Sequence, residues 1–336
     1  MKNIFSLLIV SLLFINCQKE KVDIIIINSN TYTVNSNFDK AEAFAIKDGK
    51  FIAIGTTDEI QEKYQSKKTI DAKNQTIVPG LIDAHCHFYR MGLQQQKVPL
   101  EGTKSYDEVL QKISDFKDKT GATYITGRGW DQNDWEVKKF PTKEKLDKLF
   151  PRTPVAVRRV DGHALLVNQA ALDYSGITKV IKVEGGEFIT KNGKLTGVLI
   201  DNAMDYIKFP STSKKQAIQG LLDAQKICFS YGLTTVDDAG LNRNTIELID
   251  SLQQIGSLKI RVYAMVSADN QKQIDYYIDK GIIKTDYLNV RSFKVYGDGA
   301  LGSRGAAMRK PYSDRENHFG ALIYAPERYQ EIAEQI

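Results

Sequence analysis

The sequence predicts a mixed α/β chain built around a parallel sheet, and three observations carry this prediction. From Lys214 onwards, amphipathic helical segments alternate with short apolar strands. An apolar run at 78–88 ends in a His-Cys-His triplet, and a later apolar strand, from 290, contains Lys294 near its end. Strands that alternate with helices of this length pair in parallel through right-handed crossovers. The expected architecture is therefore an open α/β sheet or a (β/α)8 barrel.

The overall composition is that of a globular protein. The chain has 336 residues, of which 42% are hydrophobic and 26% are charged, and its formal net charge is +5. A nucleic-acid interface needs a concentrated basic face, whereas the lysines here are scattered singly or in pairs. We therefore expect no nucleic-acid partner.

The N-terminus has the pattern of an export signal. Residues 4–15 form an apolar run that is too short to cross a bilayer as a helix. Residues 13–17 resemble a bacterial lipobox, with Asn16 in place of the usual small residue before Cys17. This predicts a lipoprotein signal peptide at 1–16, lipid attachment at Cys17 and an exported protein anchored to the membrane of the bacterial cell envelope. An uncleaved apolar anchor is the alternative, and it also places the protein outside the cytoplasm.

Residues 17–77 predict a small β-domain. Apolar segments at 22–28 and 43–55 read as strands, the second folded into a hairpin at Asp48-Gly49. The segment 68–78 adds to this β-structure.

The segment 78–97 predicts a strand that carries half of a metal site. Alternate residues of a strand share a face, so Asp83, His85 and His87 point the same way. Cys86 then points the other way, which favours a small core residue. Two imidazoles held side by side suit zinc, iron, nickel or copper. Asp83 either orients one of these histidines or has a structural capping role.

The segment 98–210 contains helices at about 104–118 and 142–150, strands at 123–131 and 154–163, and a helix from about Asn168. Three polar or aromatic residues that follow these strands are candidate substrate contacts: Trp130, Asp131 and His163. Trp130 and Trp135 form either an apolar wall over a pocket or ordinary core packing. His163 is either a substrate contact or a hydrogen-bonded structural histidine.

The segment 211–336 supplies the second half of the predicted site. Helices alternate with strands at 233–238, 259–266 and from 290, and Lys294 precedes a glycine-rich loop, 297–305. A surface lysine on an edge strand is the simpler interpretation. A buried lysine, however, loses its charge through desolvation, and its neutral amine can add carbon dioxide to form a carbamate with two oxygens for two metal ions. Asp298 and Arg304 in this loop either anchor substrate or hold the loop in place.

Five blocks in this order resemble the amidohydrolase superfamily, and within it the amidohydrolase-3 branch of N-substituted formamide deformylase-like proteins. The blocks are PGLIDAHCH at 79–87, GRGWD at 127–131, VRRVDGHA at 157–164, GLTTV at 232–236 and KVYGDGALGSR at 294–304. The resemblance implies a distorted (β/α)8 metal-dependent hydrolase barrel with a β-sandwich domain. It makes 98–210 an α/β insert between barrel strands 1 and 2, and 211–336 barrel strands 2–4.

The same resemblance implies a site and an activity. His85 and His87 become metal ligands, and Lys294 becomes the carboxylated lysine that bridges one or two divalent ions, expected to be zinc. The expected reaction is hydrolysis of a non-peptide carbon–nitrogen bond in a small-molecule substrate by metal-activated water.

The family pattern also requires two further histidines and an aspartate after later strands. Downstream of Lys294 the chain offers His318, which we interpret as a loop residue. The chain ends in a predicted helix, 326–336, before a fifth barrel strand, so we expect a fragment of a longer protein. Two other functions stay open: a catalytically incomplete lipoprotein that acts as a relic or binding module, and a one-metal deaminase of the superfamily.

Overall fold

The computed structural model describes residues 18–183, 185–299, 301 and 305–336. The predicted signal peptide at 1–16, the lipid-attachment residue Cys17 and the loop residue Arg304 lie outside these residues. The chain divides into two compact units, 1–81 and 82–336. In the described part of the chain, no helix combines the length and apolar character that a membrane crossing requires.

The first unit is built from short strands and one helix. The strands are β1 (Glu20–Lys21), β2 (Ile24–Ile27), β3 (Asn30–Tyr32), β4 (Lys40–Ala41), β5 (Ala43–Lys47), β6 (Lys50–Gly55), β7 (Tyr64–Gln65), β8 (Thr69–Asp71) and β9 (Thr76–Ile77), and the helix is α1 (Thr57–Lys63). They form sheets in the orders β6-β5-β2-β8, β4-β3-β9 and β1-β7. The predicted hairpin is confirmed: Asp48 (φ 52°) and Gly49 (φ 71°) both adopt the left-handed backbone that a two-residue hairpin turn requires.

Helix α1 begins with a capping box that the sequence prediction missed. The Thr56 hydroxyl accepts a hydrogen bond from the Glu59 N–H, and the Glu59 carboxylate accepts one from the Thr56 N–H. Two backbone donors at the helix start are thereby satisfied.

The second unit contains two sheets and the remaining helices. Its strands are β10 (Leu81–Cys86), β11 (Val98–Pro99), β12 (Ile125–Trp130), β13 (Val155–Arg159), β14 (Ala164–Val167), β15 (Gly186–Lys191), β16 (Lys194–Asp201), β17 (Leu233–Leu241), β18 (Arg261–Ser267), β19 (Ile283–Lys284) and β20 (Leu288–Lys294). Its α-helices are α2 (Phe88–Gln94), α3 (Tyr106–Thr120), α4 (Glu144–Leu149), α5 (Gln169–Ser175), α6 (Lys214–Ser230), α7 (Arg243–Gln254), α8 (Gln271–Lys280) and α9 (Pro326–Gln335).

The five-stranded sheet of this unit has the order β10-β17-β18-β20-β19 and contains both predicted halves of the site. Strands β17, β18 and β20 pair in parallel, and β19 pairs antiparallel with β20. Helices α6, α7 and α8 precede β17, β18 and β20 in the chain, as the alternating pattern predicts. Val236, Val262 and Val290 are buried in one core cluster with Leu221 of α6 and Ile249 of α7. Alternate residues of the same strands, among them Asp237 and Tyr263, are only half-buried.

The six-stranded sheet lies between β10 and β17 in the sequence, with the order β11-β12-β13-β14-β16-β15. Its first three strands are parallel, and β14, β15 and β16 are antiparallel. Apolar residues on its two faces form two separate core clusters, one around Trp130 and Ile113, the other around Leu165 and Leu199. The mixed α/β character is as predicted, whereas a closed barrel and an N-terminal sandwich stay predictions.

Candidate metal centre

The two histidines lie together where β10 ends. His85 is in the strand, His87 follows it directly, and both side chains are exposed. Their ring centroids are 6.1 Å apart. Two imidazoles that share one ion through nitrogens at about 2.1 Å place their ring centroids roughly 5–6 Å apart. The centroid separation of the pair is close to this range.

Cys86 points away from the histidines, as the strand alternation predicts. It packs against the core cluster that contains Phe88 and Cys228, and both cysteines are free thiols. Burial raises the pKa of the Cys86 thiol to about 12. Its packing against this cluster makes Cys86 a core residue, as expected.

Asp83 has a local structural contact. Its Oδ1 accepts a hydrogen bond from the backbone N–H of His85 at 3.1 Å. The capping alternative is therefore the one that the structure supports.

Lys294 lies at the same edge of the five-stranded sheet as the histidines. It is the last residue of β20 and pairs with Ser267, the last residue of β18. Phe293 and Val295 pack into a small cluster around Ile332, so the intervening lysine faces the opposite way. Lys294 is half-buried, where the sequence argument expected a buried lysine.

A bulge in β17 allows Lys294 to cross towards β10. The register of β17 shifts between Ala239 and Leu241, and Gly240 at this bulge has φ +122°. A Cβ at Gly240 would lie 3.6 Å from Cγ of Lys294, although two strand spacings separate β20 from β17. The Lys294 side chain therefore lies over β17, the strand that neighbours the histidine strand.

The protonation of His87 depends on this arrangement. Its pKa is lowered by partial burial and by the positive charges of Arg90, His85 and Lys294. These effects favour the neutral imidazole, which is the form that binds metal ions.

The described residues contain no group of three or more His, Cys, Asp or Glu side chains arranged to hold a metal ion. The structure brings His85 and His87 together. The charge of Lys294 is close enough to lower the pKa of His87.

Asp238 is a site residue that the sequence analysis missed. It is 1% exposed, and its Oδ2 accepts a hydrogen bond from the backbone N–H of Tyr89 at 3.0 Å. Burial raises the pKa of this carboxyl to about 6, against the opposing effect of the Tyr89 N–H and of Arg90. Helix α2 has no side-chain cap of its own, so Asp238 holds the turn that follows His87. One feature of the sequence could have indicated this role. Asp238 lies two residues after Val236 and therefore on the apolar face of the strand, where a buried carboxyl needs a hydrogen-bond partner.

The loop after Lys294 is held by its own contacts. Asp298 accepts a hydrogen bond from the backbone N–H of Ala307 at 2.9 Å, which supports a loop-holding role. The His318 ring lies beside Tyr312, with centroids 5.7 Å apart, in the loop where we expected it.

The two tryptophans are core residues. Trp130 is 0% exposed, and its Nε1 donates a hydrogen bond to the Val157 carbonyl at 2.8 Å. Trp135 is also buried and stacks on Tyr106. Of the two alternatives for Trp130, the structure supports core packing over a wall above a pocket, because this indole lies inside the core of the six-stranded sheet. Asp131 accepts a hydrogen bond from the Asn133 N–H and so shapes the following turn.

His163 is exposed and paired with a carboxylate. Its Nδ1 lies 2.7 Å from Oδ1 of Asp201, and its backbone N–H donates to Asp161. The contact with Asp201 agrees with the alternative that His163 is a hydrogen-bonded structural histidine. Contact with substrate stays a prediction.

Fold and site together define an α/β protein with a histidine pair of metal-binding type at the strand ends of a parallel sheet. The chain belongs to the amidohydrolase family, whose pattern matches residues 68–335. The resemblance stated from the five sequence blocks is thereby confirmed.

Individual relatives agree with this membership. A putative amidohydrolase, YtcJ, of Bacillus subtilis is 29% identical over 308 residues, which are 88% of this chain and 58% of that protein. The N-substituted formamide deformylase of Arthrobacter pascens is 24% identical over 93% of this chain and 60% of its own length. The crystal structure of an uncharacterized metal-dependent hydrolase from Pyrococcus horikoshii superposes with a TM-score of 0.72 at 24% identity, over 93% of this chain and 62% of that one. The chain thus spans a little over half the length of these relatives.

Proposed function

We propose that this chain supplies part of the active site of a metal-dependent hydrolase that cleaves non-peptide carbon–nitrogen bonds in small molecules. The observation that carries the proposal is the histidine pair at the end of β10, with Lys294 directed towards it across Gly240. Family membership and the formamide deformylase of Arthrobacter pascens support the bond type. A divalent ion, which we propose to be zinc, would lower the pKa of a bound water and polarise a substrate carbonyl.

The chain's own residues prepare the site for a cation. Desolvation and the neighbouring positive charges disfavour a proton on His87, which favours the lone pair that a metal ion needs. Asp238 fixes the backbone after His87 through Tyr89, which limits the positions that the imidazole can adopt.

Lys294 needs a change of charge to take part. As an ammonium it repels a cation at the histidines, since its charge already disfavours a proton on His87. In the proposed carbamate, the neutral amine nitrogen bonds to the carbon of carbon dioxide and releases one proton. The side chain then carries a negative charge and two oxygen ligands.

Metal content of the purified chain tests the site. After loading with zinc and exhaustive dialysis, we expect bound zinc in the wild type, loss of zinc in His87→Asn, and reduced zinc in Lys294→Met. His318→Asn is the matched control, because it removes a histidine from a loop, and its zinc content should equal that of the wild type. Unchanged zinc in both His87→Asn and Lys294→Met would overturn the assignment.

The bond type requires an activity measurement. In a protein that contains this chain together with the rest of the active site, we expect release of formate from N-substituted formamides. Release of ammonia from an aminated heterocycle would instead favour a one-metal deaminase. Zinc binding without turnover of either substrate class would favour a binding module.

We also propose export and lipid anchoring at Cys17. The support is the apolar run at 4–15 followed by the lipobox-like residues 13–17. Cys17→Ala should abolish labelling by a radioactive fatty acid in a bacterial host and release the protein from the membrane fraction. Labelling that persists in this variant would contradict the proposal.

A further inference from the structure

Three positively charged side chains lie on one face of the six-stranded sheet. Arg128 and Arg158 are directly opposite each other on β12 and β13, and Pro99 of β11 is opposite Arg128. Lys97 lies two residues before Pro99, so it shares this face. Neighbouring strands are about 4.8 Å apart, and like charges directly opposite each other are unfavourable.

The opposite face of these strands confirms the orientation. Val98, Gly127 and Val157 meet there, and both valines belong to the Trp130 core cluster. The alternate residues Lys97, Arg128 and Arg158 must therefore project from the other face. Lys97 and Arg158 are half-buried, and Arg128 is exposed.

The two guanidinium groups contact carbonyl oxygens and the Met204 sulfur, and no carboxylate of the described residues contacts them. Nη2 of Arg128 donates to the Val160 carbonyl at 2.9 Å, and Nη1 of Arg158 donates to the Gly162 carbonyl at 3.1 Å. Among the described residues, no Asp or Glu oxygen forms an ion pair with either arginine or with Lys97. Each guanidinium has five donors, so several stay available.

The three charges influence one another. Burial, and then the charges of Arg158 and Arg128, lower the pKa of Lys97. Their mutual repulsion therefore destabilises the cluster unless an anion offsets it.

We propose that Lys97, Arg128 and Arg158 form a binding site for a carboxylate group of a small molecule. Two adjacent guanidinium groups match the two coplanar oxygens of a carboxylate, and Lys97 adds a third charge at the same face. This site lies on the six-stranded sheet, whereas the histidine pair lies on the five-stranded sheet, and anion binding does not depend on the proposed hydrolysis.

The proposal is tested by ligand binding in the absence of turnover. Succinate, phosphate and chloride are titrated at equal ionic strength into the wild type, Lys97→Met and the control Lys119→Met, which removes an exposed lysine from the end of α3. Isothermal titration calorimetry and the melting temperature are the two readouts. We choose Lys97 because the arginines also hold the loop at 160–162, and their loss would disturb folding.

We expect saturable succinate binding to the wild type and to Lys119→Met, and at least about tenfold weaker binding to Lys97→Met. Without anion, Lys97→Met should melt at a higher temperature than the wild type, because the repulsion is removed. Equal succinate affinity in all three proteins, or no saturable binding, would overturn the site. Saturable binding of phosphate but not of succinate would overturn the carboxylate assignment.

Discussion

Replacing Asp238 by Asn should flatten the dependence of stability on pH. The buried carboxyl has a pKa of about 6, compared with its ordinary value of 3.8. Each unit corresponds to about 1.36 kcal/mol, so the ionised carboxylate is less favourable in the folded protein by about 3 kcal/mol. Asn keeps an oxygen that can accept the Tyr89 N–H and removes the titration.

The sign of the effect follows from the direction of the shift. Because the folded-state pKa of Asp238 lies above its unfolded value, the folded protein binds this proton more tightly. The contribution to stability is fully present below pH 3.8 and is lost as the pH rises through 6. Between about pH 4.5 and about pH 8, the free energy of unfolding of the wild type should fall by about 2 kcal/mol relative to that of Asp238→Asn.

Urea unfolding followed by circular dichroism, with a chelator present to remove metal, measures this difference. Asp118→Asn, which removes an exposed carboxylate on α3, is the matched control. Its free energy of unfolding should change with pH in the same way as that of the wild type. A constant difference between the wild type and Asp238→Asn across this pH range would refute the reasoning.

Three further substitutions test the packing around the two sheets. Gly92→Ala would place a Cβ 1.9 Å from the Gly220 carbonyl oxygen. We therefore expect the free energy of unfolding to fall by about 3 kcal/mol or more, although alanine has the better helix propensity. Asn168→Ala should lower the free energy of unfolding by about 3 kcal/mol or more, because this buried side chain bonds to Val155, Ala171, Phe150 and Thr153. Trp130→Phe should cost about 1–3 kcal/mol, since the buried Val157 carbonyl loses its indole donor. Urea unfolding at pH 7 provides all three values.

Matched variants test whether these losses of stability come from the named contacts or from a general sensitivity of the region to substitution. Gly220→Ala meets mainly the flexible ends of Leu93 and Gln96, so it should cost clearly less than Gly92→Ala. Asn270→Ala removes an exposed helix cap and should cost about 1 kcal/mol. Equal losses within either pair would show that the backbone contact of Gly92 or the buried network of Asn168 is not the cause.

The repeating part of the fold could be predicted from the sequence because its signals are local. The strand with the histidines, the helices from Lys214 onwards and the hairpin at Asp48 follow from periodicity and turn residues within short windows. Strands β14, β15 and β16 were missed, because antiparallel pairing at the edge of a mixed sheet depends on distant partners. Helix α1, with only 7 residues, gives a periodic signal too short to recognise.

The site was predictable only in part, for a related reason. Residue type and periodicity placed His85, His87 and Lys294 at strand ends, where the structure has them, and their metal binding stays a prediction. The role of Asp238 is a contact with Tyr89, 149 residues away, and no local pattern indicates it. The burial of Trp130 depends on how helices α3 and α4 cover the six-stranded sheet, which a single strand does not reveal.

The contact between Asp238 and Tyr89 has a consequence for the order of events during folding. The two residues are 149 positions apart, so the hydrogen bond forms only after the long segment between them has brought them together. Until then the turn after His87 lacks its carboxylate partner, and non-local contacts of this kind form slowly. The backbone around His87 should therefore become fixed late in folding, when β17 docks beside β10.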